Sequence, residues 1–175
     1  EEAARQRTQR ETAKQQEQRK RSKQWIEENQ TRQQSALLRE VDLRNGFLQD
    51  ANFEDADLRD ANLNGSRLYF AKLAKADLSN SKLIYAWLCS PGYKDPRAAN
   101  AIKAIFRGAN LKYARLGNVN FSATILENAD FTKSYMSGAD LTGANLKNAK
   151  LTEAFLHRAN FTNAILLGSN LNNAE

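Results

Sequence analysis

From Ala36 onward a large apolar residue (Leu, Phe or Met) returns at every fifth position, and nothing else in the chain limits its fold so tightly. One run goes from Leu38 to Leu88 and a second from Phe106 to Leu171, giving 25 central positions. Two residues before each stands a small one: Ala at 17 of the 25, Ser at four, and Val41, Gly46, Val119 and Thr124 at the others. Asp or Asn often fills the place between, as in Ala51-Asn52-Phe53, Ala56-Asp57-Leu58 and Ala139-Asp140-Leu141. A period of five fits neither the helical repeat nor the two-residue alternation of a flat strand. In an α-helix five steps of about 100° would smear the apolar positions around the circumference. A chain that turns a corner every five residues keeps them all inside. The large residue fills the interior, the small one lets the backbone approach, and four sides close a coil. Such coils stack through backbone hydrogen bonds at about 4.8 Å apart.

The A-(D/N)-(L/F)-x-x runs at 36–88 and 104–174 resemble those of pentapeptide-repeat proteins. The resemblance implies an all-β solenoid, a right-handed quadrilateral β-helix. Each buried Leu or Phe then contributes about 1.5–3 kcal/mol of transfer free energy, and stability is close to a sum over neighbouring coils. Met136, at a central position, is a gap filler and not a ligand.

Four segments follow: a polar helix or linker over 1–34, a first repeat segment over 35–89, an insertion over 90–105 and a second repeat segment over 106–175. Residues 1–34 hold nine basic and six acidic residues, and almost no large apolar ones beyond Trp25 and Ile26. Glu1 with Arg5, Glu17 with Arg21 and Glu28 with Arg32 have the spacing and order that favour a helix. With no apolar stripe, that helix is solvated and forms no coiled-coil seam. Its cluster Arg19, Lys20, Arg21 and Lys23 is the candidate contact to phosphates or anionic headgroups; a plain linker helix is the other reading. The opening on Glu1 rather than Met leaves room for a preceding segment.

Between Leu88 and Phe106 the five-residue phase breaks. Ser90, Pro91 and Gly92 signal a turn. Asp95 and Pro96 read as an N-cap and first helical residue, and Ala98, Ile102 and Ile105 are spaced as a helical stripe. A short helix over 96–105 lying against the solenoid is therefore expected.

On the outside, residues 20 apart should stack in columns. Ile105, Ile125, Asn145 and Ile165 make one column. Arg115, Tyr135 and Phe155 make another, two sides away. Phe47, Arg67 and Trp87 stack in the first run, with Tyr69 and Phe70 nearby. Apolar residues in outward register mark contact surfaces, so Ile105, Ile125, Ile165, Tyr135, Phe155, Trp87 and Phe70 are the candidate protein contacts; cover by another part of this chain is the competing reading. The solenoid is also expected to be acidic over residues 40–60 and basic over 61–90.

The net charge is +6, a mild excess that suits anionic partners without selecting one. A single Cys and a single His exclude an intramolecular disulfide framework and a Cys/His zinc site. Cys89 stands where the insertion begins, and His157 stands at an outward repeat position. No glycine-rich phosphate loop or metal-ligand spacing is present, and no run approaches the roughly 18 apolar residues of a membrane span. No cofactor, metal or small-molecule substrate is expected, and catalysis is not expected. The reading is a non-catalytic protein-interaction or scaffold module, cytoplasmic or membrane-peripheral, within a larger complex or a membrane-associated protein. The resemblance adds two possibilities. One is a homodimer through a solenoid end. The other is a DNA mimic acting on a type II topoisomerase such as gyrase, which needs a continuous acidic face that the slightly basic repeats do not supply.

Overall fold

The computed structural model describes residues 38–90 and 98–175, and before them six single positions, Glu2, Gln6, Ala13, Glu17, Lys20 and Gln24. Those six are helical and exposed. The helix expected over 1–34 as an element, with Arg19, Arg21 and Lys23 of its basic cluster, lies outside the described residues.

From Leu38 the chain winds as a four-sided solenoid. On each side the residue before the central apolar one forms a parallel bridge to its counterpart one coil on: Asp42 to Asn62, Phe47 to Arg67, Asn52 to Lys72 and Asp57 to Asp77. A chain that turns every five residues cannot run an extended strand, so pairing takes the form of ladders of single bridges. The bonds run both ways between coils. The Leu43 amide donates to the Asn62 carbonyl at 2.8 Å, and the Asn62 amide donates to Val41 at 2.9 Å.

Corners are β-turns. The amide of Gly46 donates to the carbonyl of Leu43 at 3.0 Å, and the pattern recurs at the following corners. The third residue of these turns is left-handed, with φ between 55° and 71°, the conformation that Gly and Asn adopt most cheaply. The Asp or Asn ahead of the central residue has a second task. Asp130 Oδ1 accepts the amide of Thr132 at 3.0 Å, and Asp140 Oδ1 accepts that of Thr142 at 3.0 Å. The polar member of the repeat thus ties down its own corner, as short acceptor side chains do in turns.

Inside, the central residues and the small residues two before them form one continuous core. Leu48, Leu58, Leu63, Ala61 and Ala71 are all at 0–1% exposure, and their equivalents as far as Ala154 are buried at 5% or less. Phe106, Phe121 and Phe131 meet edge to face, with centroids 5.6 and 6.3 Å apart. Beyond Ala154 the central residues are partly exposed, reaching 39% at Leu171.

The helix expected over 96–105 is not there. Ala98–Ile105 continue the solenoid: Asn100 bridges Lys72 and Asn120, and Ile105 bridges Asp77 and Ile125. Ala99-Asn100-Ala101 is a repeat whose central residue is Ala, with 0% exposure. Ala101 shares the core with Phe106, next along the chain, and Phe121, one coil on, two of the largest buried side chains. A helix this short is marginal alone, whereas the solenoid satisfies these backbone groups on both sides. The helical spacing of Ala98, Ile102 and Ile105 was a coincidence of the five-residue pattern. The second repeat segment therefore begins at 98, and the phase break comes from eight extra residues between Cys89 and Ala98, which pair as an antiparallel bridge. Residues 91–97, with the expected Asp95–Pro96 cap, lie outside the described residues. Among the described residues no helix is long and apolar enough to cross a membrane.

Candidate interaction faces

Counting the eight-residue insertion joins columns that looked separate. Phe47, Arg67, Trp87, Arg115, Tyr135 and Phe155 form one uninterrupted ladder of parallel bridges along a single side. Their side chains stack along the solenoid axis. The Arg67 guanidinium lies 4.5 Å from the Phe47 ring centroid and 5.8 Å from that of Trp87. Arg115 covers the other side of Trp87 at 4.3 Å. The Tyr135 and Phe155 rings are 4.8 Å apart and within 4° of parallel. Such contacts are worth about 0.5–1.5 kcal/mol each, and they follow from the period. Identical outward directions one coil apart hold flat groups at stacking distance.

The edges of this side are aromatic too. Tyr85 and Tyr113, at the preceding corner, stack at 5.0 Å and 20°. At the following corner Tyr69 and Phe70 meet edge to face at 5.3 Å, and Gln49 Nε2 donates to the Tyr69 hydroxyl at 2.8 Å. Tyr85, Tyr113 and Phe70 all occupy left-handed positions, with φ of 59°, 58° and 66°. A bulky residue there costs about 1–2 kcal/mol over Gly, so three aromatic residues occupy corners where the fold alone favours Gly or Asn. Phe47 is buried at 6% exposure, while Tyr85 is 58% and Tyr135 51% exposed.

The opposite side carries Ile105, Ile125, Asn145 and Ile165 in one bridged column, as expected. Ile105 and Ile125 are half-buried and Ile165 is 52% exposed. Asn145 breaks the apolar stripe. Its amide donates to Glu127 Oε1 at 2.8 Å, and Arg107 Nε donates to Glu127 Oε2 at 2.9 Å. A polar chain therefore runs beside the isoleucines.

The expected acidic stretch is paired in part with its own arginines, and seven carboxylates against three arginines over residues 39–60 leave it net acidic. Arg44 pairs with Asp42 at 2.6 Å, Arg59 with Asp57 at 2.5 Å and Arg39 with Asp60 at 3.5 Å. The Arg59 side-chain hydrogen bond holds the Asp57 carboxyl at about 2. Asp50, Glu54 and Asp55 are left exposed. Cys89 is half-buried, and burial pushes its thiol up, away from the thiolate a nucleophile needs. His157 is exposed in the last coil. Among the described residues no group of three or more His, Cys, Asp or Glu is placed to hold a metal ion.

Sequence reasoning placed Trp87, Tyr135, Phe155 and Phe70 but treated the first-run and second-run residues as separate columns, and it passed over Tyr85 and Tyr113. The signal that would have joined them is the Ala99-Asn100-Ala101 repeat, which fixes the length of the insertion.

Among solved structures, the chain is similar to HetL, a pentapeptide repeat protein involved in heterocyst differentiation regulation from the cyanobacterium Nostoc sp. strain PCC 7120, at 28% identity over 78% of this chain and 70% of that one, with a TM-score of 0.48. A pentapeptide repeat protein, Rfr23, from the cyanobacterium Cyanothece 51142 matches at 27% identity over 59% of this chain and 62% of that one, with a TM-score of 0.43. QnrB1, a plasmid-mediated fluoroquinolone resistance protein, matches at 18% identity over 76% of this chain and 83% of that one, with a TM-score of 0.33. No curated protein sequence matches the chain. The family model for pentapeptide repeats matches eight copies, over residues 36–69, 61–88, 97–128, 104–143 and 139–175. With the repeats matched along most of its length and the four-sided solenoid they build, the chain belongs to the pentapeptide-repeat family.

Proposed function

We propose that this protein is a non-catalytic interaction module and that the side built on Trp87, Arg115, Tyr135 and Phe155 is its protein-contact surface. The observation that carries the reading is the unbroken aromatic–arginine ladder, half-buried to exposed from Arg67 to Phe155. Trp, Tyr and Arg are the residues that dominate binding energy at protein interfaces, and here they are held rigid by stacking, which lowers the ordering cost of association. The strained corners at Tyr85, Tyr113 and Phe70 support it, because backbone strain persists where function retains it. The isoleucine side is the weaker candidate, since Asn145 interrupts it and Glu127 and Arg107 lie alongside.

The non-catalytic reading draws support from how four of the aspartates are used. Asp130 and Asp140 are engaged by their own corners, and Asp42 and Asp57 by neighbouring arginines. The DNA-mimic reading needs an acidic face, but Arg67 and Arg115 stand on one side and Lys82 and Lys150 on the next.

The test is capture of partners from the native host by the intact chain and by two variants whose circular dichroism matches it. Tyr135→Lys with Phe155→Lys should lose a partner that Ile125→Lys with Ile165→Lys retains. Loss only with the isoleucine pair would move the surface to the opposite side. Loss only on deletion of residues 1–34 would make the solenoid a spacer.

A further inference from the structure

The interaction-module reading says nothing of what the partner looks like, but the chemistry of the ladder does. Among the described residues, Arg44, Arg59 and Arg107 each bond a carboxylate within 2.9 Å. Arg67 and Arg115 do not. Arg115 instead lies over the Trp87 ring at 4.3 Å, and Arg67, one coil before it, lies between the Phe47 ring at 4.5 Å and the Trp87 ring at 5.8 Å. Neither guanidinium makes a hydrogen bond or ion pair with a described residue, and contact with a ring does not use up its N–H donors. A guanidinium presents five donors in its plane, in a fork that matches a carboxylate. Their neighbours along the chain bring no counter-charge: Tyr69 and Phe70 follow Arg67, Gly117 and Asn118 follow Arg115, and Tyr113 precedes it. Across the coils the exposed Asp50, whose amide donates to the Tyr69 carbonyl at 3.4 Å, is the acidic residue on the Arg67 corner. With one coil between them, the two guanidiniums stand about 10 Å apart.

We infer that Arg67 and Arg115, held on either side of Trp87, form a two-point clamp for carboxylates, and that this side docks an acidic peptide segment of a partner protein. This rests on the interaction-module reading and narrows it. About 10 Å is within reach of two acidic side chains two to four residues apart on an extended chain, at about 3.3 Å per residue. An apolar residue of the same segment packs on Tyr135 and Phe155, which continue the ladder past Arg115. Nucleic acid is the less suitable occupant. Its bases need ring faces to stack on, and here ring faces are occupied by neighbouring guanidiniums and rings. Its phosphates need charge all along the strand, and here positive charge stops at two points, with aromatic residues at both ends.

The test is fluorescence anisotropy at low salt with a short fluorescein-labelled oligoglutamate peptide ending in Phe. An oligolysine peptide and a single-stranded thymidine oligonucleotide serve as controls. The intact chain should bind oligoglutamate saturably and the controls weakly. Arg67→Gln, Arg115→Gln and Trp87→Leu should each weaken binding about ten-fold or more, the scale of one charge-assisted hydrogen-bond pair. Arg107→Gln, on the opposite side, should leave binding unchanged, and melting curves should show all four variants folded. An equal loss with Arg107→Gln would reduce the effect to bulk positive charge and overturn the clamp. Absence of saturable binding by the intact chain, or tighter binding of the oligonucleotide, would overturn it too. Either result leaves the module reading standing if Tyr135→Lys with Phe155→Lys still loses a native partner.

Discussion

Asp77 and Ile105 are bridged neighbours on one side of the solenoid, although the same step one coil later, from Ile105 to Ile125, spans eight fewer residues. The difference is the insertion between Cys89 and Ala98, which leaves the coils on both sides of it in register. Removing residues 90–97 would place Ala98 at the third position of a standard corner and Ala99 at the small inward position. The deletion variant should therefore fold. Its main cost is a left-handed Ala98, about 1 kcal/mol, or roughly 2–4 °C in Tm for a chain of this size. Adding Ala98→Asn should recover part of that. A variant that fails to fold, by circular dichroism and thermal melting, would show that the insertion holds the coils together.

The same eight residues mark the line between what the sequence made legible and what it did not. The core needs only spacing along the chain, so Leu48, Leu63 or Phe121 could be assigned inward positions from the period alone. A surface column needs register across coils, and one insertion of unknown length erases it. Trp87 and Arg115 could not be seen as stacked until Ala101 was recognised as a central residue, and a small central residue is what a search for Leu and Phe passes over. Charge is legible in the sequence as a count, but not as a set of pairs. Asp42 and Asp57 count as negative in the sequence, yet each is paired with the arginine two residues on, a contact set by the corner.

The corners offer a clean test of backbone strain. Ala123 and Gly143 occupy the same corner one coil apart, with φ of 55° and 65°. Nothing lies within 4 Å of where a Cβ on Gly143 would stand, so conformation alone is at issue. Ala123→Gly should stabilise the protein by about 0.5–1 kcal/mol, and Gly143→Ala should destabilise it by about 1 kcal/mol. Urea denaturation followed by circular dichroism reads both. The same sign for the two substitutions would mean that local packing outweighs φ at this corner.

Four buried hydroxyl residues occupy small inward positions, and they are not equivalent. Ser66 Oγ donates to the Leu63 carbonyl at 2.7 Å, whereas Ser81 and Ser134 Oγ are buried with no partner among the described residues. A buried hydroxyl without a partner costs about 1–3 kcal/mol. Ser81→Ala and Ser134→Ala should therefore each raise stability by about 1 kcal/mol, while Ser66→Ala gains nothing or loses about 0.5 kcal/mol. Equal losses in all three variants would show that Ser134 reaches the Phe131 carbonyl as Ser66 reaches that of Leu63.

Acid sensitivity should concentrate on one pair. The side-chain hydrogen bond from Arg59 is the main cause that holds Asp57 at about 2, below its ordinary value of 3.8, with the Arg59 amide adding to it. A carboxylate whose folded value is depressed stabilises the fold above its unfolded value, and that stability drains away as pH falls through the folded one. For Asp57 the window runs from about 4 down to about 2. In Asp57→Asn the contribution is missing at neutral pH, so the variant should be less stable there and its stability should fall less steeply across that window. Asp42, Asp130 and Asp140 are also lowered, and both proteins keep them, so the difference between the two curves isolates Asp57. Urea denaturation in steps of pH, with a carboxyl titration by NMR, measures it. Parallel curves for the two proteins would mean that Asp57 titrates at its ordinary value and that the Arg59 contact does not persist in solution.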